Sequence, residues 1–158
     1  MSRIRKITIL FWSCVASIFV MSVSFLLMPL SAEKSRLVSV LLGLMFWIFA
    51  IVGYVLIGIA NCEQKHFFDM YKGKIKNPNR KLGIIMFFSN IPAVVADTAM
   101  ICAMILLIIA QFTKLKDTYF VYVMLFVLNF SLHMHCLFNG KIYLMTKIKS
   151  KRGEKAND

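Results

Sequence analysis

Residues 37–60 read LVSVLLGLMFWIFAIVGYVLIGIA, a run of 24 residues without a charged side chain. The hydrocarbon core of a bilayer is about 30 Å thick, and an α-helix needs about 20 apolar residues to cross it. A helix that is apolar on every side is buried either in the core of a large protein or in a membrane. In a chain of 158 residues, we predict that this run spans a membrane.

Three further apolar runs lie on either side of it, at residues 7–30, 83–112 and 119–145. The third is longer than a bilayer requires, and Pro92 within it predicts a kink. The fourth ends either near Phe138 or, if it continues past Asn139, near Met145. Because the connections are short, we predict one all-α transmembrane domain over residues 1–158, with four helices in an antiparallel up-and-down bundle.

The first run also resembles a secretory signal peptide. It follows the basic residues Arg3, Arg5 and Lys6, and the small residues Ser31 and Ala32 come after it. A signal peptide usually has an apolar core of about 7–15 residues, however, and this run is considerably longer. The length favours a membrane anchor that is retained.

The overall composition agrees with a membrane protein. Apolar residues make up 59% of the chain and charged residues only 16%, against about 45–50% and about 25% in soluble proteins. The net charge of +12 would suggest nucleic acid in a soluble chain, but anionic lipid accounts for it here. We therefore predict no nucleic-acid binding.

Basic residues predict the orientation in the membrane. Three precede the first run, six lie in the middle connection and six follow from Lys141 onward, whereas the two short connections together hold four. Because cytoplasmic segments are enriched in Lys and Arg, we predict a plasma-membrane protein with both termini in the cytoplasm and a flexible cytoplasmic tail over residues 147–158. The residues expected to contact anionic headgroups are Lys72, Lys74, Lys76, Arg80, Lys81 and Lys141.

Asp97 is the one acidic residue inside a predicted span. A charged carboxylate at mid-membrane costs about 2.5–3.5 kcal/mol, so it needs a partner or water. If the third helix starts at Leu82, Asp97 lies at the depth of Asn129 and His133, and Asn90 shares its face. This predicts an intramembrane polar seam of Asn90, Asp97, Asn129 and His133, which either joins two helices or handles protons.

Other polar and small residues have plainer interpretations. His133 and Cys136 together offer too few ligands for a metal ion, so no metal or cofactor is predicted. Ser131, His135 and Asn139 form a second stripe near Lys141, which could bind an anion but is typical of an interfacial helix end.

Four cysteines without a CxxC pair imply no disulfide framework. Small residues let helices approach closely, so we expect close helix packing at the glycines at positions 43, 53 and 58.

No catalytic set, P-loop or GxGxxG motif is present in the sequence. The leading hypothesis is therefore a small, non-enzymatic membrane protein that binds a membrane-protein partner or its own copies, as an accessory or self-protection (immunity-like) factor. The chain is rich in Ile, Lys, Phe and Met, a composition typical of bacteria with AT-rich genomes. The alternative is a proton-coupled transporter or channel-like component that uses Asp97 with His133.

Overall fold

The computed structural model describes residues 3–32, 34–70, 86–113 and 117–143. Within these ranges the chain forms four long α-helices and no strand. Each helix is long and apolar enough to cross a membrane, which indicates a multi-pass membrane protein. The helices are α1 (Arg3–Ala32), α2 (Arg36–Met70), α3 (Ile91–Phe112) and α4 (Thr118–Phe138).

The turn between α1 and α2 is very short. The backbone N–H groups of Lys34 and Ser35 both donate to the carbonyl of Ser31, at 3.0 and 2.8 Å. These bonds satisfy a carbonyl that has no partner within α1, because the last four C=O groups of a helix lack one. The tight connection places the two helices side by side, as its length predicts.

Small side chains set the distance between α1 and α2. A Cβ added at Gly53 would lie 3.5 Å from Ile18 of α1. Cys14 Sγ donates to the carbonyl of Gly53 at 3.3 Å, and Ser17 Oγ donates to the carbonyl of Phe49 at 3.2 Å. Gly53 thus fulfils the expected role of a close-approach residue. Gly58 does not, because a Cβ there would meet nothing within 4 Å.

The order of contact among the helices is α2, α1, α4, α3. Helix α1 packs against both α2 and α4, and α4 also packs against α3. Phe11 of α1 is fully buried, with ring centroids 5.9 Å from Phe138 and 5.6 Å from Tyr143. On α3, buried alanines at positions 93, 96, 103 and 110 form a narrow stripe that allows close packing. An outer face of α2 and of α3 therefore stays exposed.

Two helix boundaries differ from the sequence prediction. Helix α2 continues ten residues beyond Ala60, into the polar middle connection, and ends at Met70. Helix α3 starts at Ile91, and residues 86–90 are not helical, so the predicted span over 83–112 is too long at its start. The remainder of that predicted start, residues 83–85, lies outside the described residues.

Local chemistry explains where α3 begins. The Asn90 side chain accepts a hydrogen bond from the backbone N–H of Ala93 at 3.1 Å, which is an N-cap. Pro92 occupies the first turn of α3. In that turn a residue has no intrahelical acceptor to lose, so proline begins the helix and the predicted mid-helix kink is wrong.

The end of α4 decides between the two boundaries that the sequence allows. Helix α4 ends at Phe138, and the Asn139 N–H donates to the His135 carbonyl at 3.0 Å as its C-cap. Gly140 N–H donates to Leu137 O at 3.2 Å. A short helical turn follows at residues 141–143. The shorter alternative is therefore the one that the structure adopts.

Candidate functional site

Asp97 is the most deeply buried charged group in the described part of the chain, with no exposed surface. It lies in the second turn of α3, six residues after Ile91 and about 9 Å along the helix. Ala93, Ala96 and Met100 are buried on the same helix. The small alanines bring α3 close enough to α4 for the short Asp97 side chain to reach across.

Both carboxylate oxygens of Asp97 accept hydrogen bonds. Oδ1 lies 2.6 Å from His135 Nδ1 and 3.1 Å from Asn139 Nδ2. Oδ2 lies 3.3 Å from the same amide nitrogen and also accepts from the backbone N–H of Phe88. If Asp97 is ionised, its carboxylate only accepts, and His135 Nδ1 is then the donor in this contact. We call Asp97, His135, Asn139 and Phe88 the Asp97 cluster.

Helix periodicity brings His135 and Asn139 to the same place. They are four residues apart, and residues at this spacing lie on one face of a helix. Both are at most 2% exposed. Asn139 Nδ2 also lies 3.0 Å from the His135 carbonyl, and its Oδ1 accepts from the Ser89 N–H at 3.3 Å. One amide therefore links the end of α4 to Asp97 and to the segment before α3.

The segment over residues 86–90 is fastened to the end of α4. Asn90 Nδ2 donates to the Phe138 carbonyl at 2.8 Å, and the Phe87 ring centroid lies 4.5 Å from that of His135. Phe88 has a φ of 55°, in the left-handed region that non-glycine residues rarely adopt. Such a conformation costs on the order of 1–3 kcal/mol and persists only where surrounding contacts hold it. The hydrogen bond from Phe88 N–H to Asp97 is one of these contacts.

The charges of the cluster suit a buried site. An ionised Asp97 alone would be costly inside a membrane, but a protonated His135 makes the pair neutral overall. The remaining acceptor capacity of the carboxylate is filled by an amide and a backbone N–H, as buried polar groups require. The Asp97 cluster can therefore hold a charge pair without water, or pass a proton between a carboxylate and an imidazole.

The structure divides the predicted polar seam into two sets. Asn90 and Asp97 both contact the end of α4, as described above. Asn129 and His133 lie elsewhere: Asn129 Nδ2 is 3.4 Å from Ser22 Oγ of α1, and His133 Nε2 is 3.0 Å from the Tyr54 hydroxyl of α2. The predicted pairing of Asp97 with His133 is not the one that forms.

The reason is the position of the α3 start. The prediction counted the depth of Asp97 from Leu82, whereas the helix begins at Ile91. This shortens the distance from the helix start by nine residues and brings Asp97 level with the end of α4. His133 and His135 project about 200° apart on a helix, so only one of them can face α3.

His133 has its own, separate contacts. Its Nδ1 lies 2.7 Å from the Asn129 carbonyl, which can only accept, so this nitrogen donates. In a neutral imidazole the other ring nitrogen then accepts from Tyr54. This contact joins α2 to α4, and its residues are partly or largely exposed.

His135 and Asn139, the partners of Asp97, were predicted to lie with Ser131 on a second stripe at the membrane surface. Ser131 instead donates to the carbonyls of its own helix at Val127 and Leu128. The signal that could have found the partners is Asn90-Ile91-Pro92, which combines an N-cap residue with a proline in the first turn.

The remaining predicted contacts concern the membrane surface and metals. Lys141 is half-buried in the turn that follows α4. The other five predicted headgroup contacts, Lys72, Lys74, Lys76, Arg80 and Lys81, lie outside the described residues. Over residues 3–32, 34–70, 86–113 and 117–143, no group of three His, Cys, Asp or Glu side chains could hold a metal ion.

Comparisons with known proteins give no relative. No protein-family model matches the chain, and neither the curated proteins nor the solved structures contain a significant match.

Proposed function

We propose that this chain is a small, non-enzymatic protein of a plasma membrane that acts by binding another membrane protein, as an accessory or self-protection factor. One observation carries the proposal: the polar atoms of Asp97 are taken up by contacts within the chain, at no solvent exposure. These contacts fix the segment before α3 to the end of α4, which is a structural role. The membrane-spanning part then presents apolar helix faces for contact with other proteins.

The exposed faces are extensive. On α3, Val95 is 66% exposed and Ile108 is 58% exposed, while α2 contacts mainly α1. In a lipid environment such faces meet either acyl chains or other helices, and packing between helices gives the association energy. These exposed faces of α2 and α3 are the surfaces through which the described part of the chain would bind a partner.

Site-specific photo-crosslinking tests this proposal. A photoreactive amino acid at Val95 or Ile108 in native membranes should give one discrete protein adduct of defined mass. The same group at Ala103, which is buried on α3, serves as the control and should give none. Only lipid adducts at both exposed positions would overturn the proposal.

A proton-coupled transporter or channel-like component is the second candidate. The observation that favours it is the buried contact of 2.6 Å between an acid and an imidazole, since intramembrane ionisable residues often mark proton pathways. Purified protein in liposomes, given a pH gradient and an internal pH dye, distinguishes the two. Flux that Asp97→Asn abolishes and His133→Ala preserves would favour transport through the Asp97 cluster.

We further propose an antiparallel arrangement with both termini in the cytoplasm. The distribution of basic residues supports this orientation. The ion pair of Lys6 with Glu63, and the contact of Ser39 Oγ with the Met28 carbonyl at 3.2 Å, support opposite directions for α1 and α2. A membrane-impermeant maleimide applied to intact cells should label Thr113→Cys but not Asp69→Cys in a cysteine-free background; the reverse result would invert the topology.

A further inference from the structure

Both titratable members of the Asp97 cluster contact the non-helical residues that precede α3. Asp97 Oδ2 accepts a hydrogen bond from the Phe88 N–H, and the Phe87 ring centroid lies 4.5 Å from that of His135. We call these residues the 86–90 segment. The segment is therefore held to the rest of the protein partly through groups whose charge changes when they take up a proton.

We propose that the 86–90 segment is a pH-dependent lid over the Asp97 cluster. The lid is closed while Asp97 and His135 hold one titrating proton between them, and it opens when a second proton from water enters the pair. The opening is a regulatory change in the shape of this end of the protein. It does not depend on the partner binding proposed above, and it requires no net proton flux across the membrane.

In the closed state the carboxylate of Asp97 is surrounded by hydrogen-bond donors. With one titrating proton on the pair, His135 is an imidazolium, and both of its ring nitrogens donate. Its Nδ1 lies 2.6 Å from the carboxylate, and Asn139 Nδ2 and the Phe88 N–H donate to the same group. Hydrogen bonds to a charged acceptor are roughly twice as strong as those between neutral groups. The closed arrangement therefore matches a carboxylate that carries no proton.

A second proton removes this match. Since the imidazolium is already fully protonated, the proton binds a carboxylate oxygen of Asp97, which becomes an O–H donor that needs an acceptor. The three groups that donate to the carboxylate offer none. Asn139 can supply its Oδ1 only by turning its amide, but that oxygen accepts from the Ser89 N–H at 3.3 Å. Satisfying the protonated acid therefore breaks a bond to the 86–90 segment.

The charge that remains on His135 favours opening as well. Once Asp97 is neutral, the imidazolium has lost its counter-ion, and its side chain is only 3% exposed. A buried charge without a partner is costly, and contact with water reduces that cost. The Phe87 ring of the 86–90 segment lies against the imidazole, so displacement of the segment gives the charged ring access to water.

The backbone of Phe88 adds a local reason for the segment to open. Its φ of 55° lies in the left-handed region, which a bulky residue adopts only where surrounding contacts hold it. The hydrogen bond from the Phe88 N–H to Asp97 is one of these contacts. When protonation weakens that bond, a return of Phe88 to an ordinary φ relieves the strain. The closed segment is thus held against its own backbone preference.

The other titratable groups on the elements around Asp97 do not replace the pair. Cys136 of α4 interacts with Asp97 but is a neutral thiol while it holds its proton. Residues 86–90 contain no titratable side chain, and Cys102 of α3 is exposed. The turn after α4 adds Lys141, a cation that cannot neutralise an imidazolium, and Tyr143, whose ring packs on Phe11 and Phe138. The pH response therefore depends on Asp97 and His135.

Hydrogen exchange at residue resolution tests the lid in the full-length protein in lipid nanodiscs. Samples span about pH 8 to about pH 4, the range over which histidine and aspartate side chains ordinarily titrate. Each rate is divided into that of an unstructured peptide at the same pH, which removes the intrinsic pH dependence of exchange. Protection of the Phe88 and Ser89 amides should fall about tenfold or more on acidification, the effect of losing a hydrogen bond to a charged group. Met100 and Met134, buried within α3 and α4, should keep their protection.

Two variants assign the response to the pair. Asp97→Asn carries no charge at any pH and should give low protection at both amides throughout. His133→Ala removes the other histidine of α4 and should respond to pH as the unmodified protein does; these two profiles decide the question even if Asp97→Asn does not fold. Protection that is independent of pH, a loss shared by Met100 and Met134, a response that His133→Ala abolishes, or one that Asp97→Asn retains would each overturn the proposal.

Discussion

Asp97 Oδ1 and His135 Nδ1 lie 2.6 Å apart across the contact between α3 and α4, and neither side chain is more than 3% exposed. The two residues are 38 positions apart in sequence. Their contact joins the beginning of one membrane-spanning helix to the end of the next.

Removing the Asp97 side chain should destabilise the protein strongly. Asp97→Ala leaves His135, Asn139 and the Phe88 N–H without their shared acceptor, and breaking a buried pair costs about 3–5 kcal/mol. Asp97→Asn retains one acceptor oxygen and should lower the free energy of unfolding by less. Unfolding in detergent, titrated with SDS, measures both free energies. Asp117→Ala is the control, because that side chain makes no cap hydrogen bond; an equal loss there would contradict the prediction.

The two histidines of α4 should differ in their effect on stability. His135→Ala breaks the buried pair and should lower the free energy of unfolding by about 3 kcal/mol or more. His133→Ala removes a partly exposed contact with Tyr54, and interhelical hydrogen bonds in membranes average about 0.6 kcal/mol. The same SDS titration compares them. If His133→Ala proves the more damaging of the two, the assignment of Asp97 to His135 is wrong.

Asn139 should control the order of residues 86–90. Its Oδ1 accepts from the Ser89 N–H, so Asn139→Ala removes an acceptor and should increase hydrogen exchange at Ser89. Phe88 N–H donates to Asp97 and should keep more of its protection. Exchange measured at residue resolution, by NMR or by mass spectrometry with electron-transfer fragmentation, distinguishes the two adjacent amides. Unchanged exchange at Ser89 would show that this contact does not hold the segment.

Phe88 should tolerate glycine better than a branched residue. Glycine adopts positive φ without a steric cost, and the Phe88 side chain is 51% exposed, so only about half of its surface loses burial. Phe88→Gly should leave stability unchanged or raise it by up to about 1 kcal/mol, because relief of about 1–3 kcal/mol of backbone strain is offset by the entropic cost of glycine and by the lost burial of the ring. Phe88→Val should lower it, because β-branched residues are disfavoured at positive φ. Thermal unfolding in detergent ranks the three proteins, and a stabilising valine would contradict the left-handed conformation.

The four helices were predictable because each apolar run is itself long enough to span a bilayer. The α3 start was not, because Ser89 and Asn90 are flanked by apolar residues and hydropathy alone extends the helix through them. Because the predicted start of α3 was too early, Asp97 was predicted too deep in the membrane and His133, not His135, was predicted as its partner. Asp97 itself was identifiable as a buried charge that needs a partner.

The choice between His133 and His135 depends on which side of α4 faces α3. Both histidines lie in the same apolar run, and its hydrophobic pattern has no strongly polar face that would fix the rotation of the helix. Contacts across α3 and α4, including the alanine stripe and the Asn139 cap, determine that rotation. These are tertiary contacts, which residue spacing within one helix does not reveal.

A double-mutant cycle between Asp97 and His135 tests the central claim most directly. The free energies of unfolding of Asp97→Ala, His135→Ala and the double variant give the coupling between the two side chains. We predict a coupling of about 0.5–3 kcal/mol for this pair, the range typical of residues in one hydrogen-bond network, and no measurable coupling between Asp97→Ala and His133→Ala. Coupling to His133 with none to His135 would contradict the structure of the Asp97 cluster and the role proposed for it.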